Sequence, residues 1–291
     1  MKKGLMLVIL TAFISGFSIF INKFGVSMSD AYLFTFMKNS IVAIVMFGII
    51  YFAGNLRNFS EIKAKEWGKL LVIGVVGGSI PFLMFFRGLQ LTTAAKASFI
   101  HKTMFIYVAF LAYFFLKEKI SWKIAGASVL LLLGNFLLLK LSWQPFNIGD
   151  ALVLGAALLW AIENVVSKNI LKEVEPKIVG FSRMFFGSIF ILVFLAATDN
   201  LTGIMALTSQ QIIWSLITAG LLLAYVLTWY SGLKDVPVTL ATVILMLGSP
   251  ITTLLNYASG TPIEALQIFG ILLLGLGTYV FASGHRYSSS A

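Results

Sequence analysis

The chain has 291 residues, of which 59% are hydrophobic and 11% are charged, and its mean hydropathy is +0.96. Because soluble domains carry about 25% charged residues, this composition excludes an ordinary water-soluble fold. The net charge of +10 comes from residues in short connectors rather than from one basic surface with interleaved aromatic residues, which argues against a nucleic-acid partner. Cysteine is absent, which excludes disulfides and thiolate metal sites.

Ten apolar stretches of about twenty residues follow one another along the chain, and each is long enough to cross a bilayer as a helix. The pattern predicts an all-α integral membrane protein with ten transmembrane helices. In chain order we place spans 1 to 10 at residues 4–24, 31–53, 68–89, 93–116, 122–141, 149–171, 178–198, 212–232, 236–258 and 264–284. Lys2 and Lys3 resemble the start of a signal peptide, but no small-x-small cleavage site follows, so we expect a retained first span.

Lysine and arginine near the span ends predict the orientation, because cytoplasmic loops carry an excess of both residues. With the N-terminus inside, fourteen fall on the inner side: Lys2, Lys3, Arg57, Lys63, Lys65, Lys69, Lys117, Lys119, Lys123, Lys168, Lys172, Lys177, Lys234 and Arg286. Four fall on the outer side: Lys23, Arg87, Lys96 and Lys140. We therefore expect both termini in the cytoplasm, with the chain embedded in the lipid of the cytoplasmic membrane.

The second half of the sequence repeats the first. At a shift of 145 residues, Lys23 aligns with Lys168, Phe36 with Phe181 and Lys38 with Arg183; at a shift of 144, Ala97 aligns with Ala241, Ile100 with Ile244 and Gly126 with Gly270. Residues 1–145 and 146–291 are thus predicted to be two five-helix repeats. Because five is odd, the second repeat enters the membrane from the opposite face, an internal symmetry common in secondary transporters.

The chain resembles the drug/metabolite transporter superfamily, specifically its two-copy EamA-type members. The resemblance rests on the five-plus-five repeat, the basic connector Leu116-Lys117-Glu118-Lys119, the small-residue start of span 5 near Gly126, and Leu247-Gly248-Ser249-Pro250 in span 9. It implies that spans 1–4 and 6–9 line a cavity while spans 5 and 10 stay peripheral. Known members include exporters of amino acids and other small metabolites. The first repeat departs from the pattern, with Ile106 opposite Pro250 and His101-Lys102 opposite Leu245-Met246.

Two helices carry matching polar stripes. In span 6, Trp160, Glu163, Asn164 and Ser167 lie at the i, i+3, i+4 and i+7 positions of one helix face, and in span 1 Ser15, Ser18 and Asn22 match Trp160, Glu163 and Ser167. We interpret both stripes as walls of a shared cavity. The alternative is that these residues only bond neighbouring helices.

Span 4 places Ser98, His101 and Lys102 within one turn of a helix, deep in the predicted membrane. A charge at that depth is costly, so we expect Lys102 to bind substrate or the coupling ion; the alternative is a fixed ion pair with Glu163. His101 is a candidate proton carrier, or else a packing residue. Glu163 is a candidate for both substrate binding and coupling.

Lys38 and Arg183 occupy equivalent positions in spans 2 and 7. They are predicted to attract an anion or to hold a gate by pairing with Glu163; alternatively, each snorkels to the lipid headgroups. In span 8, Tyr225 and Trp229 share a face that suits stacking on a flat substrate, although they fit packing or an aromatic belt equally well. Pro81 and Pro250 are expected to permit kinks.

No catalytic motif, metal-binding cluster or phosphate-binding glycine loop occurs in the sequence, so we expect neither an enzyme nor a bound cofactor or metal. We predict a secondary transporter for a small carboxylate-bearing metabolite, such as an amino acid, working by alternating access in the direction of export, with H+ as a candidate coupling ion. The alternatives are a lipid or polyprenyl-phosphate flippase and a membrane-embedded transferase. The glycine-rich spans 5 and 10 are also candidates for a homodimer interface.

Overall fold

The computed structural model describes residues 2–119, 122–138 and 145–288, and Lys140, counted above among the outer charges, lies outside these ranges. The prediction of ten membrane-spanning helices is confirmed. Eight helices of the described chain are long and apolar enough to cross a membrane, and two shorter apolar helices, Ala125–Leu137 and Ala265–Phe281, complete the set. The predicted span ends agree with the helix ends to within four residues.

The helices have the following bounds: span 1, Lys2–Ser27; span 2, Ala31–Phe52; span 3, Ala64–Gly78 and Ile80–Leu91; span 4, Ala94–Lys102 and Met104–Phe115; span 5, Trp122–Leu137; span 6, Ile148–Ile170; span 7, Pro176–Ala197; span 8, Ser209–Asp235; span 9, Val238–Ile244, a 3₁₀ turn at Leu245–Leu247, and Gly248–Ala258; span 10, Ala265–Ser288. Two one-turn helices, Arg57–Ser60 and Thr202–Met205, lie in connectors.

Polar residues at the ends of the connectors cap the N-termini of several spans. Asp30 accepts hydrogen bonds from the backbone N–H groups of Tyr32 and Leu33 at the start of span 2. Asn147 with Asp150, and Thr208 with Gln211, form reciprocal capping boxes at the starts of spans 6 and 8. These side chains satisfy backbone donors that have no partner inside their own helix.

The repeat is visible in the positions where helices break. Span 4 breaks at Thr103, and at the shift of 144 residues this position aligns with Leu247, the end of the 3₁₀ turn that interrupts span 9. Pro250 follows in the first turn of the next helix, where a missing N–H costs little. Span 3 also breaks, at Ser79 just before Pro81, whereas span 8, its counterpart in the second repeat, is continuous.

Helix packing joins the two repeats as symmetric pairs. Span 1 packs along span 8, and span 3 packs along span 6, so each pair is the counterpart of the other. Spans 2 and 7 pack together, as do spans 5 and 10. Most of the extensive helix contacts therefore run between the two repeats.

Spans 5 and 10 form a separate packing unit, in accord with the peripheral place that the family resemblance implies. Added Cβ atoms on Gly134 and Gly270 would lie 2.9 and 2.7 Å from the carbonyl oxygen of the facing glycine, so these glycines bring the two helices close together. Phe105, Leu131, Leu274 and Phe281 belong to the apolar cluster beside this contact.

The two ends of the bundle differ in charge. We call the end at which the odd-numbered spans begin the basic end, because the fourteen inner lysines and arginines predicted above belong to it. The even-numbered spans begin at the opposite end. Lys168 contacts the end of span 8 at the basic end, and Thr92 contacts Asp150 at the opposite end.

Gly187 and Gly78 mark the closest crossing between spans 7 and 3, since a Cβ on Gly187 would lie 2.4 Å from the Gly78 carbonyl oxygen. We expect Gly187→Ala to lower the free energy of unfolding by about 1–3 kcal/mol because overpacking forces the helices apart. Gly220→Ala in span 8 is the matched control, with no atom within 4 Å of the added methyl group. Thermal unfolding in detergent measures both; equal stability of the two variants would contradict this packing.

Candidate functional site

A cavity lined by charged, polar and aromatic side chains lies inside the bundle, between spans 1–4 of the first repeat and spans 6–8 of the second. The volume that the centres of water molecules can reach is about 100 Å³, enough for several waters or a small solute. Nine of the predicted site residues line it: Asn22, Lys38, His101, Trp160, Glu163, Asn164, Arg183, Tyr225 and Trp229. Lys102 and Ser98 do not.

Lys38 points into this cavity and is buried, with 2% of its surface exposed, so it does not snorkel to the headgroups. Its Nζ donates to Asn22 Oδ1 at 3.0 Å and lies 4.0 Å from the centre of the Phe86 ring. Asn22 is held in turn by donating to the backbone carbonyl and the hydroxyl of Ser18. The predicted stripe of span 1 therefore positions the cation of span 2.

Glu163 is the buried acid of the cavity, with 1% of its surface exposed. Its Oε1 accepts hydrogen bonds from the Ser167 and Tyr230 hydroxyls, both at 2.6 Å. Its Oε2 has no hydrogen-bond partner among the described residues. One carboxylate oxygen is thus fixed by the protein, while the other has no partner in the described chain.

Arg183 is anchored by a carbonyl that Pro81 leaves free. In a regular helix the Gly77 carbonyl would accept from the N–H of residue 81, but proline has no N–H. Arg183 Nη2 and Trp160 Nε1 donate to this carbonyl instead, at 3.1 and 3.0 Å. The break in span 3 therefore supplies the acceptor that holds two cavity residues.

Gly77 also allows the acid and the guanidinium to approach each other. A Cβ on Gly77 would lie 2.3 Å from Glu163 Cγ and 3.2 Å from Arg183 Nε, so any larger residue would displace them. Arg183 Nε has no hydrogen-bond partner, and no ion pair within 4 Å joins Arg183 to Glu163 in the described chain. A guanidinium donor and a carboxylate acceptor are therefore both free near one point.

Aromatic rings form most of the remaining wall. Trp229 Nε1 donates to Asn164 Oδ1 at 3.1 Å, and Tyr225 stacks on Trp229 with ring centres 6.1 Å apart. His101 packs edge-on against Trp160, with ring centres 5.1 Å apart, and its Nδ1 has no partner among the described residues. The cavity thus combines two cations and one acid with flat apolar surfaces.

Lys102 and Ser98 lie on another side of span 4. Adjacent residues of a helix point about 100° apart, and His101 takes the cavity side. Lys102 is buried, and its Nζ donates to Ser15 Oγ at 3.2 Å. The described residues contain no ion pair between Lys102 and Glu163. Ser98 lines a second cavity at the opposite end. The expectations that Lys102 binds substrate or the coupling ion and that Ser98 binds substrate stay predictions.

Sequence reasoning missed Tyr230 and the function of the Gly77 carbonyl. Tyr230 follows Trp229 directly and is off the helical stripe of Tyr225, so periodicity gave no signal for it. The spacing from Gly77 to Pro81, four residues, was visible in the sequence. It identifies the carbonyl that loses its helical donor, but not the side chains that use it.

A group of hydrogen bonds lies at the basic end of the bundle. Lys168 Nζ donates to the carbonyl oxygens of Leu233, Lys234 and Val236 at 2.7–3.0 Å, where span 8 ends. The Glu118 carboxylate accepts from the N–H groups of Val238 and Thr239 and from the Thr239 hydroxyl, where span 9 begins. We call these contacts the basic-end clasp. They tie span 6 and the connector after span 4 to the two sides of the connector between spans 8 and 9.

Ten spans, an inverted repeat and a polar cavity inside the bundle define a multi-pass integral membrane transporter. The chain belongs to the EamA-like transporter family, part of the drug/metabolite transporter superfamily, and the family model matches it twice, at residues 2–140 and 147–283. The family resemblance drawn from the sequence is confirmed.

Relatives with the same general role are found in bacteria and archaea. The chain is 24% identical over 289 residues to the uncharacterized transporter YyaM of Bacillus subtilis, covering 92% of each protein. It is 26% identical over 256 residues to the uncharacterized transporter YoaV of the same organism, covering 84% of this chain and 85% of YoaV. An uncharacterized transporter of Archaeoglobus fulgidus is 25% identical over 243 residues, covering 82% of this chain and 84% of that protein.

The fold also matches a solved crystal structure. The TM-score is 0.76, with 96% of this chain and 97% of that chain covered, and the sequence identity is 17%. At this identity the likeness shows the fold alone.

Substitution of Tyr230 tests the hydrogen bond that its hydroxyl donates to Glu163. We expect Tyr230→Phe to lower the free energy of unfolding by about 1–3 kcal/mol, because Glu163 loses one of its two hydroxyl donors in a buried site. The control is Tyr225→Phe, since no hydrogen bond of the Tyr225 hydroxyl occurs among the described residues. Thermal unfolding in detergent compares the two, and a Tyr230→Phe variant as stable as its control would rule out this contribution.

Proposed function

We propose that this transporter moves a small carboxylate-bearing solute, an amino acid or an organic acid, across the cytoplasmic membrane by secondary active transport in the direction of export. The observation that carries the proposal is the convergence of Lys38 and Arg183 on one cavity that contains a single acid, Glu163. Two cations against one acid give a positive field, which favours an anionic group on the substrate.

An α-amino acid fits the arrangement better than a simple anion. Its carboxylate would take the guanidinium donor of Arg183 or the ammonium of Lys38, and its ammonium would take the free Oε2 of Glu163. Trp229 and Tyr225 offer flat surfaces for an aromatic side chain. The proposal therefore includes aromatic amino acids.

We further propose that the repeats at residues 1–145 and 146–291 rock against each other to expose the cavity alternately to each face. The basic-end clasp supports a state closed at that end. Lys23, the counterpart of Lys168, is exposed at the opposite end, without a hydrogen bond or ion pair among the described residues. With the basic end in the cytoplasm, as the positive charges predict, the cavity of this state faces outward.

Several narrower expectations stay predictions. They are cytoplasmic termini, coupling to H+ through Glu163 or His101, and a homodimer through spans 5 and 10.

Transport assays test the substrate class. In proteoliposomes with a panel of radiolabelled amino acids and organic acids, we expect Lys38→Met and Arg183→Met to reduce uptake of the best substrate by about 10- to 100-fold, since each removes an ionic hydrogen bond. Lys172→Met, an exposed lysine at the basic end, is the control and should transport normally.

A panel in which only amines or neutral solutes are carried would refute the carboxylate assignment. Transbilayer movement of a fluorescent phospholipid by the same vesicles, without solute uptake, would instead support a flippase.

Removing part of the basic-end clasp tests whether these hydrogen bonds block access to the central cavity from the basic end. Because the chain has no cysteine, Ser18→Cys provides a single reporter in the central cavity. We expect Glu118→Ala to speed labelling of this reporter by a membrane-impermeant maleimide from the basic side, by about tenfold, since three hydrogen bonds that hold span 9 are lost. Glu173→Ala, an exposed acid at the same end, is the control. Equal rates in the two variants would show that the clasp does not close this end.

A further inference from the structure

A second cavity opens at the opposite end, between spans 1, 4, 5, 9 and 10. Its water-accessible volume is about 260 Å³, and it shares no lining residue with the central cavity. Lys23 and Thr93 lie at its mouth, near the ends of spans 1 and 4, while Ser98 and Ser249 lie deeper along spans 4 and 9. Eight of its fourteen lining residues are serine, threonine or asparagine, and it is large enough to hold water.

The deepest part of this cavity contains a polar group that needs a partner. Ser249 is buried, with 4% of its surface exposed, and its Oγ has no hydrogen-bond partner among the described residues. Buried hydroxyls are usually hydrogen-bonded. An unpaired hydroxyl at this depth favours water as its partner.

Lys102 lies between the two cavities. On one side, a Cβ on Gly248, the neighbour of Ser249, would lie 3.4 Å from Lys102 Nζ, and Ser98 is one turn away on the same helix. On the other side, Nζ donates to Ser15 Oγ, and Ser15 lines the central cavity. Lys102 thus contacts residues next to both compartments.

The surroundings of Lys102 contain no carboxylate partner. Lys102 has 3% of its surface exposed, and no acid lies within 4 Å of its Nζ in the described chain. It faces His101 on its own span, Ser15 on span 1 and Gly248 on span 9; Lys38, Glu163 and Arg183 belong to the central cavity beyond Ser15. Because an unpaired ammonium is costly to bury, the energy of this site depends on whether Lys102 holds a proton.

Lys102 also lies where the helices break. Thr103 interrupts span 4 directly after it, and Gly248 follows the 3₁₀ turn that interrupts span 9 at the equivalent position. A change of charge at Lys102 would therefore act on both repeats at the points where their helices are least regular.

We propose that the second cavity is a proton entrance and that Lys102 carries the coupling proton, a role distinct from substrate binding in the central cavity. A hydronium ion in the second cavity gives its proton to the Nζ lone pair, which forms an N–H bond and leaves a water molecule. After the bundle reopens at the basic end, the ammonium returns the proton to water on the Ser15 side. This inference rests on the proposed transport function.

Labelling tests the entrance without any knowledge of the substrate. In the cysteine-free chain, we expect Ser249→Cys and Lys102→Cys to react with a membrane-impermeant methanethiosulfonate reagent added at the opposite end, at least about tenfold faster than Ser215→Cys, because only the first two lie on the proposed proton path. Ser215 is a buried serine of span 8 that lines neither cavity. Rates no faster than that of Ser215→Cys would overturn the entrance.

Transport tests the role of the proton. With the best substrate of the panel, we expect Lys102→Met to abolish accumulation driven by a pH gradient while exchange of internal for external substrate stays within about twofold of the unmodified chain, since exchange needs no net proton movement. Modification of Ser249→Cys by the reagent should likewise abolish gradient-driven accumulation and leave exchange intact. This variant provides the test if Lys102→Met does not fold.

The outcomes separate the two proposals. Two results would overturn the proposed proton role of Lys102. One is accumulation at the normal rate by Lys102→Met under a pH gradient. The other is accumulation by the unmodified chain that does not depend on the pH gradient. If the unmodified chain carries no member of the panel, the proposed substrate class fails, and the labelling rates still decide whether the second cavity leads to Lys102.

Discussion

Every functional feature of this protein depends on burying ionic side chains in a bundle that lipid surrounds. A charge placed in hydrocarbon without partners is costly, so each one must be held by protein dipoles or water. The structure meets this need at the Gly77 carbonyl, which Pro81 leaves without a helical donor and which Arg183 and Trp160 use instead. The break in span 3 therefore supplies an acceptor that positions two residues of the central cavity.

The inverted repeat places equivalent residues in its two halves, but their contacts differ. Lys38 and Arg183 come from equivalent positions and meet in one cavity. Their supports differ, since Lys38 relies on Asn22 and on the Phe86 ring, whereas Arg183 relies on a backbone carbonyl. At the shift of 144 residues, the position equivalent to Pro81 in span 8 is Tyr225, which keeps its backbone N–H. The cavity is therefore asymmetric within a scaffold that is symmetric overall.

Two separate polar compartments meet at span 4. His101 faces the central cavity, and Lys102, the next residue, lies between that cavity and the second one. Because the compartments are separate, the proton and the solute would bind different groups, and the protein would link their opposite movements through helix geometry rather than through direct competition for one group. The helix breaks at Thr103 and at Leu245–Leu247 lie where such a link would act.

The sequence by itself determined the ten spans, their ends and the repeat, because hydrophobic length, capping residues and internal similarity are local properties of the chain. It also identified most of the cavity lining, since stripes at helical spacing such as Trp160, Glu163 and Asn164 depend only on one helix. Tertiary structure alone decided which of His101 and Lys102 faces the cavity and brought Tyr230 to Glu163. Those outcomes depend on the rotation of each helix against its neighbours, which close contacts such as Gly78 with Gly187 set and no single span encodes.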